Sequence, residues 1–403
     1  MTQPGYRPGE RGYRRVVVAL FLAGLVTFAL LYATQPMLPE LSLRFGVSAT
    51  AAATSVSAGT LALGVALLIA GPVTELVGRT PLMIGSLFAA SVVGMACAFA
   101  PTWEVMLGLR ALQGFLLAGL PAVATAYLRE EIARDAAGRA TGLYIGGTAL
   151  GGMSGRLIGG TLTDFFGWQV ALFGLGLLGL VCAIATTVLL PRSRNFRPSP
   201  KTLHAVLGTL RKALADPALL GLYGIGGTSM GMLVATFNAL GFRLAAPPYL
   251  LPLSLASLVF LTYAVGSWSS TYAGRLADLY GRRRVEPICV VIALVGLLIT
   301  LAEPLWLVVL GLAVLVAGFF ATHGVASGWV AARAAATGGG AGQAASLYLV
   351  CYYLGSSIFG TLAGTAWTHA GWPGVVAMNT GLLLICLVLA LLVGRTRPVL
   401  PAP

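Results

Sequence analysis

The amino-acid sequence predicts an all-α integral membrane protein in which twelve transmembrane helices form two six-helix bundles. Three observations predict it. Hydrophobic residues make up 58% of the 403 and charged residues only 9%, against about 25% charged in a soluble domain. Apolar runs of the length that carries a helix across a bilayer, about 20 residues, occur twelve times between charges and Pro-rich turns. Short phrases of the first half return in the second at a constant spacing.

The first-half runs lie near 15–37, 52–73, 81–99, 103–127, 140–163 and 168–190. RGYRR followed by VVVALFLAGLVTFALL has the charge pattern of a secretory leader, but the apolar run is long and passes into QPMLPEL without a small-residue cleavage site, so it reads as a retained first span. The second-half runs lie near 218–242, 252–274, 285–302, 305–330, 343–366 and 372–394. Between the halves stands the basic, Pro-containing stretch PRSRNFRPSPKTLHAVLGTLRKALADP. The expected organisation is an N-terminal bundle over 1–190, a cytoplasmic linker over 191–217 and a C-terminal bundle over 218–403.

Cytoplasmic loops carry an excess of Lys and Arg, and an even number of spans puts both termini on one side. With both ends cytoplasmic, all but four basic residues fall inside: Arg44 and Arg243 go to outside loops, and Arg110 and Arg156 fall within spans. The net charge of +13 is thereby explained by topology and by anionic lipid headgroups, without a nucleic-acid partner. Cys97, Cys182, Cys289, Cys351 and Cys386 stand singly in apolar runs, without metal-ligand spacing. No phosphate-cradling loop, zinc-protease motif or nucleophile elbow is present, which excludes ATP-driven pumps and hydrolases of those types and leaves no cofactor implied.

GRLADLYGRRR at 274–284 has a worn counterpart in GPVTELVGR at 71–79. Gly71 and Gly274, Glu75 and Asp278, Gly78 and Gly281, and Arg79 and Arg282 are each 203 apart. Farther on, Tyr144 and Tyr348, Gly151 and Gly355, and the GW pairs at Gly167 and Gly371 are 204 apart, so one inserted residue accounts for the shift. A register held through loops and spans alike indicates duplicated bundles related by an axis along the membrane normal.

The phrase at Gly274–Arg283 resembles the loop signature G-x-L-a-D-r-x-G-R-[RK] of the major facilitator superfamily, and the resemblance extends over the whole chain. It implies alternating access around a central cavity, with these loops as cytoplasmic gating motifs: Gly71, Glu75, Gly78 and Arg79 in the first half, Gly274, Asp278, Gly281 and Arg282 in the second. An acid four residues before an Arg lets a charge pair close across the turn; a solvated turn is the alternative. RALQGFLLAG is similar to the R-x-x-Q-G motif of proton-coupled members and implies proton coupling through Arg110 and Gln113, with Glu40 as an added acceptor and titratable group. GGTALGGMSGRLIGG resembles the family's Gly-rich antiporter motif with Gly152 in the place of its Pro. Gly147, Gly151, Gly152 and Gly155 then serve helix packing. ATQPMLPEL, GRTPLMIGS and LRALQGFLLAG together look like the acriflavine-sensitivity (YnfM-like) branch of bacterial efflux carriers.

By analogy with the family, the substrate cavity draws on Phe28, Tyr32, Gln35, Phe237, Asn238, Tyr263, Trp268, His323, Trp329, Tyr352 and Tyr353, an aromatic wall with few polar groups. Glu286 is expected in an inside segment, and no carboxylate is expected at mid-membrane, which disfavours a strongly cationic substrate. The combined expectation is a monomeric, multi-pass protein of the bacterial inner membrane that exports a small organic compound by proton antiport, in contact with lipid. The alternatives are a carrier of the same fold for a sugar, organic anion or lipid, and a non-transporting receptor or assembly protein.

Overall fold

The computed structural model describes residues 4–197, 203–337 and 340–396, so part of the expected linker, 198–202, lies outside the described residues. Fourteen α-helices follow in chain order: α1 Arg11–Leu31, α2 Leu38–Phe45, α3 Ala49–Val77, α4 Arg79–Cys97, α5 Trp103–Leu117, α6 Ala124–Glu131, α7 Arg134–Leu189, α8 Leu203–Ala215, α9 Pro217–Ala245, α10 Leu253–Ser257, α11 Tyr263–Tyr280, α12 Arg282–Ile299, α13 Leu305–Ala336 and α14 Ala341–Arg395. A 3-10 turn, Leu258–Thr262, joins α10 to α11.

Two of these helices are too long to be single spans. α7 has 56 residues and breaks at Gly167, where φ is 85°; α14 has 55 and breaks at Gly371, where φ is 59°. Only glycine adopts such angles freely, so each GW phrase turns the chain between two crossings. Counted this way, α7 and α14 cross twice, and α1, α3, α4, α5, α9, α11, α12 and α13 once, giving the twelve expected crossings. Gly78 and Gly281 repeat the device at φ 94° and 85°, separating α3 from α4 and α11 from α12. The sequence register thus reappears as backbone geometry.

Some boundaries differ from the periodicity. The first span stops at Leu31, because Pro36 disfavours helix at Gln35, and the chain turns before entering α2. The fourth crossing is interrupted at 118–123, around Gly119 and Pro121, before α6. Arg243, expected in an outside loop, lies in the last turn of α9, buried over the Trp372 ring at 4.7 Å and donating to Thr300 O at 2.6 Å.

The chain divides into two compact units, Met1–Leu41 with Ala58–Pro200, and Ser42–Ser57 with Lys201–Pro403. In the first, α1 lies along the first crossing of α7. A Cβ on Gly147 would sit 2.6 Å from Phe21 O, and one on Gly151 or Gly155 would strike Leu25 O or the Ala29 backbone. Here helix association depends on backbones coming close, which small residues permit. In the second, α9 and α14 repeat the arrangement, with Gly355 against Gly227. Residues 42–57 belong to this unit through Thr50 and Thr365 at 3.0 Å and Ser57 with Thr361 at 2.8 Å.

Candidate functional site

In the first unit the polar chemistry gathers where α1 ends. A helix leaves its last carbonyls without intrahelical donors, and α5 meets that need with Arg110. Its guanidinium donates to Leu30 O at 3.0 Å, to Leu31 O and to Gln113 Oε1, while Gln113 Nε2 donates to Ala90 O of α4 at 3.2 Å. Arg110 is 1% exposed, and the cation also suits the negative end of the α1 dipole. Gly59 and Gly94 leave the room that the Arg110 and Gln113 head groups occupy. The structure therefore brings Arg110 and Gln113 together. Glu40 stands apart on α2, with no ion pair or hydrogen bond to Arg110, so the acceptors are main-chain carbonyls and an amide rather than that carboxylate.

A second arginine converges on the same turn. Arg156, on α7 and also 1% exposed, donates to Gln35 Oε1 and Gly152 O, each at 2.5 Å, and its guanidinium lies 4.1 Å from the Tyr32 ring centroid. Tyr32 and Gln35 are thus joined by a residue outside the expected site set. The signal was present as a charge within an apolar run, which is costly in lipid and marks a protein-facing position. Phe28, one turn earlier on α1, is half-buried.

In the second unit the repeat equivalents, displaced by 203 and 204, are Asn238 for Gln35 and Gly360 for Arg156. Asn238 donates to Gly360 O at 3.0 Å, so the contact between the two helices survives without the cation. His323 Nδ1 lies 2.9 Å from Tyr348 Oη, and its ring packs on Phe319 and Tyr352 at centroid distances of 6.1 and 4.9 Å. Tyr263 joins Phe237, Phe260 and Phe320, and this group meets the first through Phe319 and Phe320, whose ring centroids are 5.1 Å apart. Trp268 belongs to neither group; it is 69% exposed and stacks only on Tyr272.

The repeated loops after α3 and α11 also differ between units. Arg79 meets Glu75 at 3.4 Å and Glu130 of α6 at 2.9 Å, and stands 4.7 Å from the Phe196 ring centroid. Next to it, fully buried Glu131 accepts from Ser193 Oγ and the Arg194 and Asn195 amides at 3.0, 2.6 and 2.8 Å. The start of the expected linker is thereby tied to α6 beside Arg79. Asp278 is exposed and forms no ion pair with Arg282 among the described residues, so the charge pair expected there is not closed. Instead Arg333 of α13 grips Asp216, the N-cap of α9, with Nε 2.8 Å from Oδ2, and Asp216 Oδ1 accepts from Ala218 N at 2.9 Å. Burial works to raise the Asp216 carboxyl, but the hydrogen bonds from Arg333 and the Ala218 amide and the Arg333 charge outweigh it and hold it below its ordinary value.

Comparison with known proteins agrees with this arrangement. The profile of the Major Facilitator Superfamily matches residues 20–272 and 252–403. The chain is 43% identical over 399 residues to the inner membrane transport protein YnfM of Escherichia coli, covering 98% of this chain and 93% of that one. It is 40% identical over 381 residues to the uncharacterized MFS-type transporter YybF of Bacillus subtilis, covering 94% of each. Among solved structures, a bacterial homologue of the human lysosomal transporter Spinster, inward-facing and occupied, superposes with a TM-score of 0.79 at 15% identity over 98% of both chains. The nucleoside transporter NupG superposes with a TM-score of 0.74 at 14% identity over 94% of this chain and 99% of that one. With the family profile and relatives of 40–43% identity matched along nearly its whole length, the chain, with its duplicated halves and glycine-broken hairpins, belongs to the Major Facilitator Superfamily of membrane transporters.

Proposed function

We propose that the chain is a secondary active exporter of a small organic compound, working as a monomer by alternating access and driven by proton antiport, in the bacterial cytoplasmic membrane with both termini cytoplasmic. The observation that carries this reading is the interruption of the first span at residues 32–37, where buried Arg110 and Arg156 converge with Tyr32 and Gln35. Broken spans expose backbone polar groups and are where transporters of several folds bind substrates and ions, and a buried cation within a span is a functional position by default. The aromatic group around His323 supplies flat apolar surface in the other unit.

The test begins with thermal melting of the purified protein against dyes, sugars and organic anions, since a ligand that binds only the folded state raises the melting temperature. Compounds that do so are then loaded into proteoliposomes under a pH gradient of either sign. Antiport requires that reversing the gradient reverse the net flux. Flux indifferent to pH overturns proton coupling, and binding without flux overturns the carrier reading in favour of a receptor.

A second reading, a carrier for organic anions, is favoured by Arg156, whose planar guanidinium lies over an aromatic ring beside the broken span. It holds if only anions raise the melting temperature and Arg156→Gln abolishes that shift.

A further inference from the structure

Glu286 sits two residues into the expected ninth span, and the structure buries it completely on α12, at 0% exposure, with no hydrogen-bond partner for either carboxylate oxygen among the described residues. It is the fifth residue of its helix, past the first turn in which the positive end of the dipole favours an anion. Arg282, one turn earlier, makes no ion pair with it. An ionised carboxylate in such a place is strongly disfavoured, while the neutral acid is tolerated.

Packing does not explain the residue. Its repeat equivalent, 203 positions earlier, is Met83, likewise buried, so an unbranched apolar side chain serves the same place in the first unit. The second unit holds a titratable group where the first needs none.

The helices that pack on α12 are α11, α13 and α14. On α12 itself Cys289 stands three residues on, and α14, which packs along α12, carries the buried Tyr348 and Cys386. α13 brings His323, bonded to Tyr348 at 2.9 Å, and apolar Ala321 and Val325. α11 presents Ala273 and Ala277 to the same cluster as Val285 and Cys289. Tyr348 is held in place by α9, where Gly226 leaves room for its ring.

We propose that Glu286 is a proton-binding site of the second unit, linked through Tyr348 to His323 and so to the aromatic group there. Release breaks the carboxyl O–H bond; the proton passes to a water molecule as hydronium, and the electron pair stays on the carboxylate. With the His323 proton on Nε2, Tyr348 gives its single O–H to Nδ1. The ionised carboxylate draws that hydrogen from His323, because a charged acceptor outbids a neutral one. Reprotonation returns it. The assignment deepens the proton-coupled reading above and differs from it in placing the titrating group on α12 rather than on Glu40.

The test needs no substrate. Infrared difference spectra of the purified full chain through a pH titration should show a protonated-carboxyl carbonyl band that is lost reversibly at high pH. Glu286→Gln and Glu286→Met should both lack it; the second borrows the side chain of the first unit and keeps the test open if the first fails to fold. Tyr348→Phe should keep the band and move its midpoint upward by about one pH unit, since the anion loses its donor. A band that survives in both Glu286 variants, or no titrating band in the wild type, overturns the site; an unmoved midpoint in Tyr348→Phe overturns the link to His323. If the band titrates as expected but pH gradients drive no flux in the proteoliposomes, the antiport reading fails and the proton site stands.

Discussion

Arg79 donates to Glu130 at 2.9 Å, whereas the repeat-equivalent residues, Arg282 and Arg333, are both positive. The duplicated loop therefore cannot make the same ion pair twice. The first unit closes it on α6, while the second uses its extra arginine to grip Asp216 at the start of α9.

Glu130→Gln should leave insertion unchanged but weaken this contact by about 1 kcal/mol, the upper range for a pair with partial solvent access. Initial transport rate at equal membrane abundance is the measurement, and Asp278→Asn is the comparison. The larger loss is expected at Glu130, because Asp278 is exposed and forms no ion pair with Arg282. Equal losses would return the gating role to the second loop.

Arg110→Ala should lower stability by about 2–4 kcal/mol, since the buried Leu31 carbonyl and Gln113 Oε1 lose this charged donor and Leu30 O keeps only backbone amides. Arg110→Lys should recover part of this, because a lysine supplies charge but not the planar fork. Melting of the purified variants checks the order Arg, Lys, Ala. Glu40→Gln should leave melting unchanged, because Glu40 does not touch Arg110.

Asp216 sets an acid limit. Its carboxyl is held below its ordinary value, so the stability it contributes is complete above its unfolded value, about 3.9, and is lost as pH falls through the folded one. The wild type should therefore lose melting temperature more steeply than Asp216→Asn below about pH 4, and the two curves should run parallel above it. At neutral pH the variant should be weaker by about 1–2 kcal/mol, having lost an N-cap and an ion pair. Parallel curves at all pH values would contradict the assignment.

Neighbouring glycines should separate cleanly. Gly151→Ala drives a Cβ into Leu25 O, a backbone atom that cannot yield, and should cost about 1–3 kcal/mol or prevent folding. Gly152→Ala meets only the Arg156 Nη1 atom at 3.1 Å, the far end of a flexible side chain, and should be tolerated. Membrane yield and melting temperature distinguish them.

The sequence by itself determined the number of crossings, the duplication and the turn glycines, because a bilayer imposes a run length and a duplication imposes an offset, and both are readable along one dimension. Gly167 and Gly371 needed only their shared register to be identified as equivalent breaks. Arg110 with Gln113 was legible for a similar reason: three residues apart on one helix, they share a face. The remaining relationships join positions far apart in the chain. Arg156 and Gln35 are separated by 121 residues, Arg110 and Leu30 by 80, Arg79 and Glu130 by 51. Which of these side chains meet depends on how each helix is rotated about its own axis, and in spans that are apolar almost all round, hydrophobic periodicity hardly fixes that rotation. Close glycine contacts do fix it. Gly296 against Leu315 and Gly318 against Ala293 seat α12 on α13, and Glu286 is buried on that helix, because backbone approach at a few small residues, not side-chain polarity, sets the faces that helices present to one another.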